Sequence, residues 1–208
     1  MADTDYCSLA MLKDAIGIDD DEDDPVLAIA IDAASRQIDA HCGRRFYQDT
    51  DVVARSYFPH MPRCLYVDDI STLTGLLVKV DEADDGTFAT TLTINTDFIV
   101  APVNAAAETP VQPYTEIRLL DGALSSYTRL SSGRPYVQVT ARFGWPDVPD
   151  PVERACVFQA KNLFKAPDLF WGSFQLAEEG SPLRVPSMDP LARGLLERFV
   201  RWTDIDHG

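Results

Sequence analysis

Side chains able to do chemistry are few in this chain and far apart. Histidine occurs three times: His41 at the end of a helical pattern, His60 in a turn flanked by Pro59 and Pro62, and His207 in the terminal tail. A nucleophile–histidine–acid mechanism needs its base within hydrogen-bond reach of a serine or cysteine held on a sharp turn, and no Ser or Cys here sits in such a turn. The glycine patterns that cradle phosphates or dinucleotides, G-x-x-x-x-G-K-[ST] and G-x-G-x-x-G, do not occur, nor does G-x-S-x-G. Four cysteines, Cys7, Cys42, Cys64 and Cys156, are scattered without a C-x-x-C pair. They read as reduced thiols of a protein made in the cytosol, with Cys42 and Cys156 as small buried hydrophobes inside helices. A metal set of His41, Cys42 and Cys64 lacks any supporting spacing.

Carboxylates are abundant instead. There are 33 acidic residues against 18 basic ones, a net charge of −15. Pairs such as Asp68-Asp69 and Asp84-Asp85 carry little information against that background. The densest run is Asp19, Asp20, Asp21, Glu22, Asp23 and Asp24. As a calcium loop it fails: the sixth position from Asp19 is Asp24 where an EF-hand needs glycine, and the twelfth is Ala30 where it needs a bidentate glutamate. The run reads as a solvated loop between helices. The expectation is no catalytic residue, no cofactor and no metal. A surface this acidic also repels a phosphate backbone, which argues against binding of nucleic acid by counterion release. No apolar run approaches the roughly 20 residues that span a bilayer, and the polar, acidic Met1 to Asp5 segment is not a signal peptide.

The elements that hold these residues fall into two kinds. Ser8 is placed to cap a short helix from Leu9 to Ile16, which Gly17 stops. Asp24-Pro25 has the form of a cap followed by a first-turn proline, and Leu27, Ile31, Ala34, Ile38 and His41 or Cys42 then recur at helical spacing up to Gly43. Asp32, Arg36 and Asp39 take the other side, and Arg44-Arg45 follow the helix end. From Val52 the period shortens to that of strands: Val52–Phe58, Leu76–Val80, Thr90–Ile94, Asp97–Val100, Glu116–Leu120 and Tyr136–Phe143. Asp84-Asp85-Gly86 and Ser131-Ser132-Gly133 look like turns, and Ala101–Pro113 like a loop. Helix returns at Asp150-Pro151, with Val152, Ala155, Cys156, Gln159, Ala160 and Leu163 in a stripe that Pro167 is expected to close. Gly172 to Pro186 reads as extended or mobile. A third Asp-Pro start, Asp189-Pro190, opens a final helix with Leu191, Leu195, Phe199 and Trp202 on one face. The resulting expectation is an α+β fold: a helical bundle from both chain ends, 1–46 with 147–208, and an inserted antiparallel β-rich lobe over 47–146, a small sandwich or barrel.

Three stretches carry a resemblance. "LAMLKDAIGIDDDEDDPVLAIAIDAASRQIDAHCGRRF", Leu9 to Phe46, resembles the opening of the gp6-like phage head-tail connector family: a short helix with a leucine-lysine pair (Leu12-Lys13), an acidic loop, and a long alanine-rich helix ending in glycine-arginine (Gly43-Arg44). Asp24 and Ala33-Ala34 fall at matching places. "VQVTARFGWPDVPDPVERACVFQAKNLFKAPD", Val137 to Asp168, is similar to the strand, Gly-Trp-Pro corner and helix of the longer connectors from phages and prophages of actinobacteria. "PLRVPSMDPLARGLLERFVRW", Pro182 to Trp202, is similar to the closing segment of that group, with Arg184-Val185 ahead of the Asp-Pro cap. The middle, Tyr47 to Pro135, has no counterpart in the resemblance.

The resemblance implies a structural subunit of the head-to-tail connector, or adaptor, in the neck of a virion assembled in the host cytoplasm. Subunits would form a homo-oligomeric ring, a dodecamer in the family, under the portal protein and above a stopper or tail-completion protein. DNA would pass through without specific binding, and no membrane would be involved. An acidic lumen would keep a duplex from sticking, over a screening length of about 10 Å at 0.1 M salt; Asp19, Asp20, Asp21, Glu22, Asp23 and Asp24 are the candidate channel-facing loop. Arg184, Val185, Leu191, Leu195, Phe199 and Trp202 are the candidate portal-docking segment, and 172–188 a segment that orders on docking. Two other classes compete: an acidic DNA-mimic inhibitor using the 19–24 carboxylates as phosphate surrogates, and a small β-domain hydrolase or sugar-binding module. Capture of nucleases or repressors would mark the first, and a dry polar pocket in the β-rich lobe the second.

Overall fold

The structure, a computed structural model, describes residues 4–59, 61, 63–120, 135–173 and 188–201. It divides into two compact units: one uninterrupted stretch, Tyr47–Asp147, and one formed by the chain before and after it. The whole is α+β, helices in one unit and an antiparallel sheet in the other.

In the helical unit, α1 (Leu9–Ile16) starts where the Ser8 side chain accepts from the Met11 amide, and stops where Gly17 takes φ 75°. The second helix, α2 (Asp24–Cys42), buries Leu27, Ile31, Ala34, Ile38 and Cys42, the expected stripe. Its start departs from expectation. The cap position is Asp23, with no side-chain bond to the helix amides, and Asp24 is the first helical residue, its carboxylate taking a hydrogen bond from Lys13 instead of capping. The third helix, α3 (Asp150–Ser173), buries Val152, Ala155, Cys156 and Ala160. It runs through Pro167 rather than ending there. A helix-interior proline forfeits one hydrogen bond and costs about 3 kcal/mol, which weakens a helix without obliging it to stop.

The last helix, α4 (Pro190–Leu196), is short and tightens into a 3-10 turn, Glu197–Phe199. Asp189 caps it as expected, accepting from Leu191 N at 2.7 Å and Ala192 N at 3.1 Å. Its face is set one residue later than the sequence reading had it. Ala192, Leu196 and Phe199 are buried, Leu195 is half-buried, and Leu191 is 66% exposed. Adjacent Leu195 and Leu196 permit either phase, and the 3-10 turn, with three residues per turn, puts Phe199 under Leu196. Gln159, buried on α3, ties the bundle together. Its Nε2 donates to Gln37 of α2 at 2.6 Å, and its Oε1 accepts from the Asp189 amide at 2.8 Å.

The second unit is one six-stranded antiparallel sheet in the order β1-β6-β2-β5-β4, with β3 paired to β2. The strands are β1 (Val53–Tyr57), β2 (Cys64–Val80), β3 (Thr90–Leu92), β4 (Phe98–Ala101), β5 (Tyr114–Leu119) and β6 (Val137–Phe143). Only the last part of β2, Leu76–Val80, was expected as a strand. The observed β2 pairs β5 through Cys64–Ile70 and then β6 through Ile70–Val80, with register shifts between Tyr66 and Ile70 and again before Leu77. Asp68 and Asp69 sit at the first shift, where they break the apolar alternation that marks a strand. Each has a partner: Asp68 accepts from Arg55 at 2.7 Å and Tyr57 at 3.1 Å, and Asp69 from the Trp145 indole at 3.2 Å. The alternation of β6 is as read, with Val137, Val139, Ala141 and Phe143 buried in one core with Ile70 and Ile117. The Asp84–Gly86 segment lies between the paired strands β2 and β3, and Asp81 holds it by accepting from the amides of Asp85 and Gly86. Ser131-Ser132-Gly133 lies outside the described residues.

Candidate functional site: the acidic loop and the outer face of the helical unit

The acidic loop is built from the residues that join α1 to α2. Lys13, in the last turn of α1, reaches across it, and its Nζ lies 2.8 Å from both Asp21 Oδ1 and Asp24 Oδ1. The two carboxylates raise the Lys13 ammonium above its ordinary range, and Lys13 in turn holds Asp21 below the usual carboxylate range. Asp20 Oδ1 accepts the Glu22 amide at 3.1 Å, which closes a local turn. Asp19, Asp20, Asp21 and Glu22 face water, while Asp23 and Asp24 are half-buried. The run is therefore a shaped loop pinned by one lysine, with Asp19 and Glu22 exposed on its outer side. Lys13 was legible as a helix residue; its grip on the loop, spanning 8 and 11 residues, was not.

A second feature lies on the same helix. Val26 is 53% exposed and Ile29 70%, beside exposed Pro25 and Ala28 and half-buried Ala33. The stripe of α2 that packs inward is a different one, so this helix carries apolar residues on two faces. Sequence reading assigned only Asp32, Arg36 and Asp39 to the outer side. The spacing of Val26, Ile29 and Ala33, three and four residues, was the available signal.

Of the expected docking segment, Leu191, Leu195 and Phe199 are described and Arg184, Val185 and Trp202 lie outside the described residues, as does most of 172–188. Leu191 is offered to solvent, whereas Phe199 is committed to the core. Its ring meets Phe46 edge-on at 5.6 Å, and Phe46 meets Tyr6 edge-on at 5.7 Å. Tyr6 also accepts the Phe46 amide at 2.9 Å and donates to Asp39. Burial holds Asp39 above the usual carboxylate range. The Arg201 amide donates to the Cys42 carbonyl at 2.8 Å, at the end of α2.

Burial pushes the Cys42 thiol up to about 12 and Cys64 up to about 11, away from the thiolate that a nucleophile requires. Of the three histidines only His41 is among the described residues. Among the described residues no three His, Cys, Asp or Glu side chains gather as a metal site, and no helix is long and apolar enough to cross a membrane. Among the described residues the geometry offers a negative loop held by Lys13 and an exposed apolar strip on α2.

Residues 6–74 match the model of the phage gp6-like head-tail connector protein family. The match runs from Tyr6 through both first helices and beyond Phe46, through β1 and into β2, so it reaches a stretch for which the sequence reading had no counterpart. In fold, the chain is similar to one from the neck of an empty gene transfer agent (GTA) particle computed with C6 symmetry, at TM-score 0.52 and 16% identity, covering 96% of this chain and 92% of that one. It is likewise similar to a chain from the neck of a native GTA particle computed with C12 symmetry, at TM-score 0.50 and 15% identity, covering 94% and 90%. No curated protein matches significantly in sequence. The family that this chain matches is therefore the phage gp6-like head-tail connector proteins, over residues 6–74, on a fold shared with chains of GTA necks.

Proposed function

We propose that this protein is a structural subunit of the neck of a tailed phage or phage-like particle, where copies of it form a ring between the portal and a stopper or tail-completion protein and DNA passes through. The observation that carries the reading is the coincidence of two independent likenesses. The sequence match covers α1, the acidic loop and α2, and the fold match covers nearly the whole chain. The reading takes the subunit as non-catalytic, virion-borne and assembled in the host cytoplasm, and it takes 1–46 with 147–208 as the connector domain and 47–146 as its β-rich insert.

The apolar strip of α2 then has an occupant, a second copy of the chain, since a ring needs each subunit to present a face to its neighbour. Ile29→Asp should leave the free subunit as stable as before, because the side chain lies in water, yet abolish rings. Electron micrographs of purified protein with and without portal, beside light scattering, measure this. Rings that survive Ile29→Asp would remove α2 from the interface.

The acidic loop is assigned to the channel. Wild-type subunit should show no measurable affinity for duplex DNA at physiological salt, since a net charge of −15 gives little means of releasing counterions. The reversals Asp19→Lys with Glu22→Lys spare the Lys13 contacts to Asp21 and Asp24. They should leave particle assembly normal while lowering infectivity, as passing phosphates meet attractive charge. Unchanged infectivity would take the loop out of the channel, and tight duplex binding by the wild type would sink the conduit altogether. Leu191, with Arg184, Val185 and Trp202 of the same segment, remains the proposed portal contact, while Phe199 belongs to the core.

A further inference from the structure

Two of the four cysteines stand together. Cys7 and Cys156 are 149 residues apart in sequence, yet the Cys7 thiol donates to the Cys156 sulfur across 3.2 Å. Cys7 lies in the segment leading to the Ser8 cap of α1, and Cys156 on the buried face of α3. Both are free thiols, 6% and 0% exposed. Around them the N-terminal segment is fastened to α2, for the Ser35 hydroxyl accepts the Tyr6 amide at 3.0 Å and lies 3.5 Å from the Cys156 sulfur. An S–S bond is about 2.05 Å long, so the two sulfurs need approach by only about 1.2 Å. Cys42, also buried, makes no such contact with a second thiol, and Cys64 hydrogen-bonds Glu116 instead.

We propose that Cys7 and Cys156 are a disulfide-forming pair, oxidised by exchange with a small-molecule disulfide such as oxidised glutathione, which staples the N-terminal segment to α3. The inference does not depend on the neck reading. Its chemistry balances in two exchanges. The Cys7 thiol loses its proton and attacks one sulfur of the small disulfide, which releases one small thiol and leaves a mixed disulfide on Cys7. Cys156 then gives up its proton and attacks the Cys7 sulfur, which releases the second small thiol and forms the Cys7–Cys156 bond. Two protein thiols are oxidised and one small disulfide is reduced to two thiols. The division of labour follows from position. Cys7 is the less enclosed of the two, so local opening of its segment admits the oxidant. Cys156 is fully enclosed and waits as the resolving thiol. In the closed state the bond that Cys7 gives Cys156, together with burial, pushes Cys7 above the ordinary thiol range, so its attack follows the local opening that breaks that bond.

The test uses the full chain. Purified protein is incubated with excess oxidised glutathione, denatured, and alkylated, and its remaining thiols and cross-linked peptides are identified by mass spectrometry. The expected product has lost two hydrogens, joins the peptides of Cys7 and Cys156, and leaves Cys42 and Cys64 free to alkylate. It should melt higher than the reduced protein, with the difference erased by dithiothreitol. Cys156→Ala should halt the reaction as a glutathione adduct on Cys7, and Cys7→Ala should leave Cys156 unmodified. The two variants report independently if one of them folds poorly, and the wild-type thiol count stands without either. Four alkylated cysteines after oxidation, a bridge between any other pair, or a lasting adduct on wild-type Cys7 would each overturn the proposal.

Discussion

Gly144→Ala should cost roughly 4 kcal/mol or more, enough to unfold the sheet unit outright. Gly144 has φ 104°, a conformation that side chains with a Cβ rarely adopt, and an added Cβ would fall 1.9 Å from the backbone oxygen of Tyr47 and 2.9 Å from its carbonyl carbon. Neither obstacle can swing aside, since both are main chain. The site is also where the sheet unit begins and ends. The Asp49 amide donates to Phe143 O at 2.8 Å, the Gly144 amide to Asp69 O at 2.8 Å, and the Trp145 indole to Asp69 at 3.2 Å. An alanine there strains the corner and displaces the Trp145 bond that satisfies a buried carboxylate. Denaturant unfolding followed by tryptophan fluorescence measures the loss. A cost under about 1 kcal/mol would mean that the corner is not as close as described.

Phe46→Ala carries the next largest effect, about 3–5 kcal/mol. The ring is fully buried and touches Tyr6 and Phe199 edge-on, so its loss opens a cavity among three segments that have no sequence proximity. Phe46→Leu fills part of that space and should cost less than half as much. Thermal or denaturant unfolding of both variants, with Ile29→Ala as an exposed control expected within about 0.5 kcal/mol, reads the contrast. Equal costs for Phe46→Ala and Ile29→Ala would contradict the packing.

What could be read from the sequence was whatever is decided within a few residues. Ser8, Gly17 and Gly43 mark helix ends because capping is a local event, and β6 shows its strict alternation because one face is buried throughout. The first half of β2 escaped notice because Asp68 and Asp69 break the pattern, and what makes them tolerable there is supplied by Arg55 and Tyr57 of β1 and by Trp145 at the corner. Asp24 looked like a cap for the same reason in reverse: a distant Lys13 claims its carboxylate. The face of α4 turned on a choice between two adjacent leucines that only Phe199 and its aromatic neighbours settle. The acidic run was visible as composition, but its shape, and the apolar strip beside it, required knowing which face of α2 the bundle uses.

The order in which the chain is made adds a consequence of the two-unit division. The sheet unit is a single stretch, Tyr47–Asp147, and leaves the ribosome complete, able to fold while synthesis continues. The first two helices have no such independence, for α2 packs on α3, and α3 on α4, which are translated after the sheet unit. Between Cys42 and Asp150 roughly 100 residues are added, which at about 5–20 residues per second is a wait of roughly 5–20 s. During that time the inward stripe of α2, Leu27, Ile31 and Ile38, lacks α3 to cover it, and the nascent chain presents to chaperones a ready-made apolar ridge that vanishes once α3 docks.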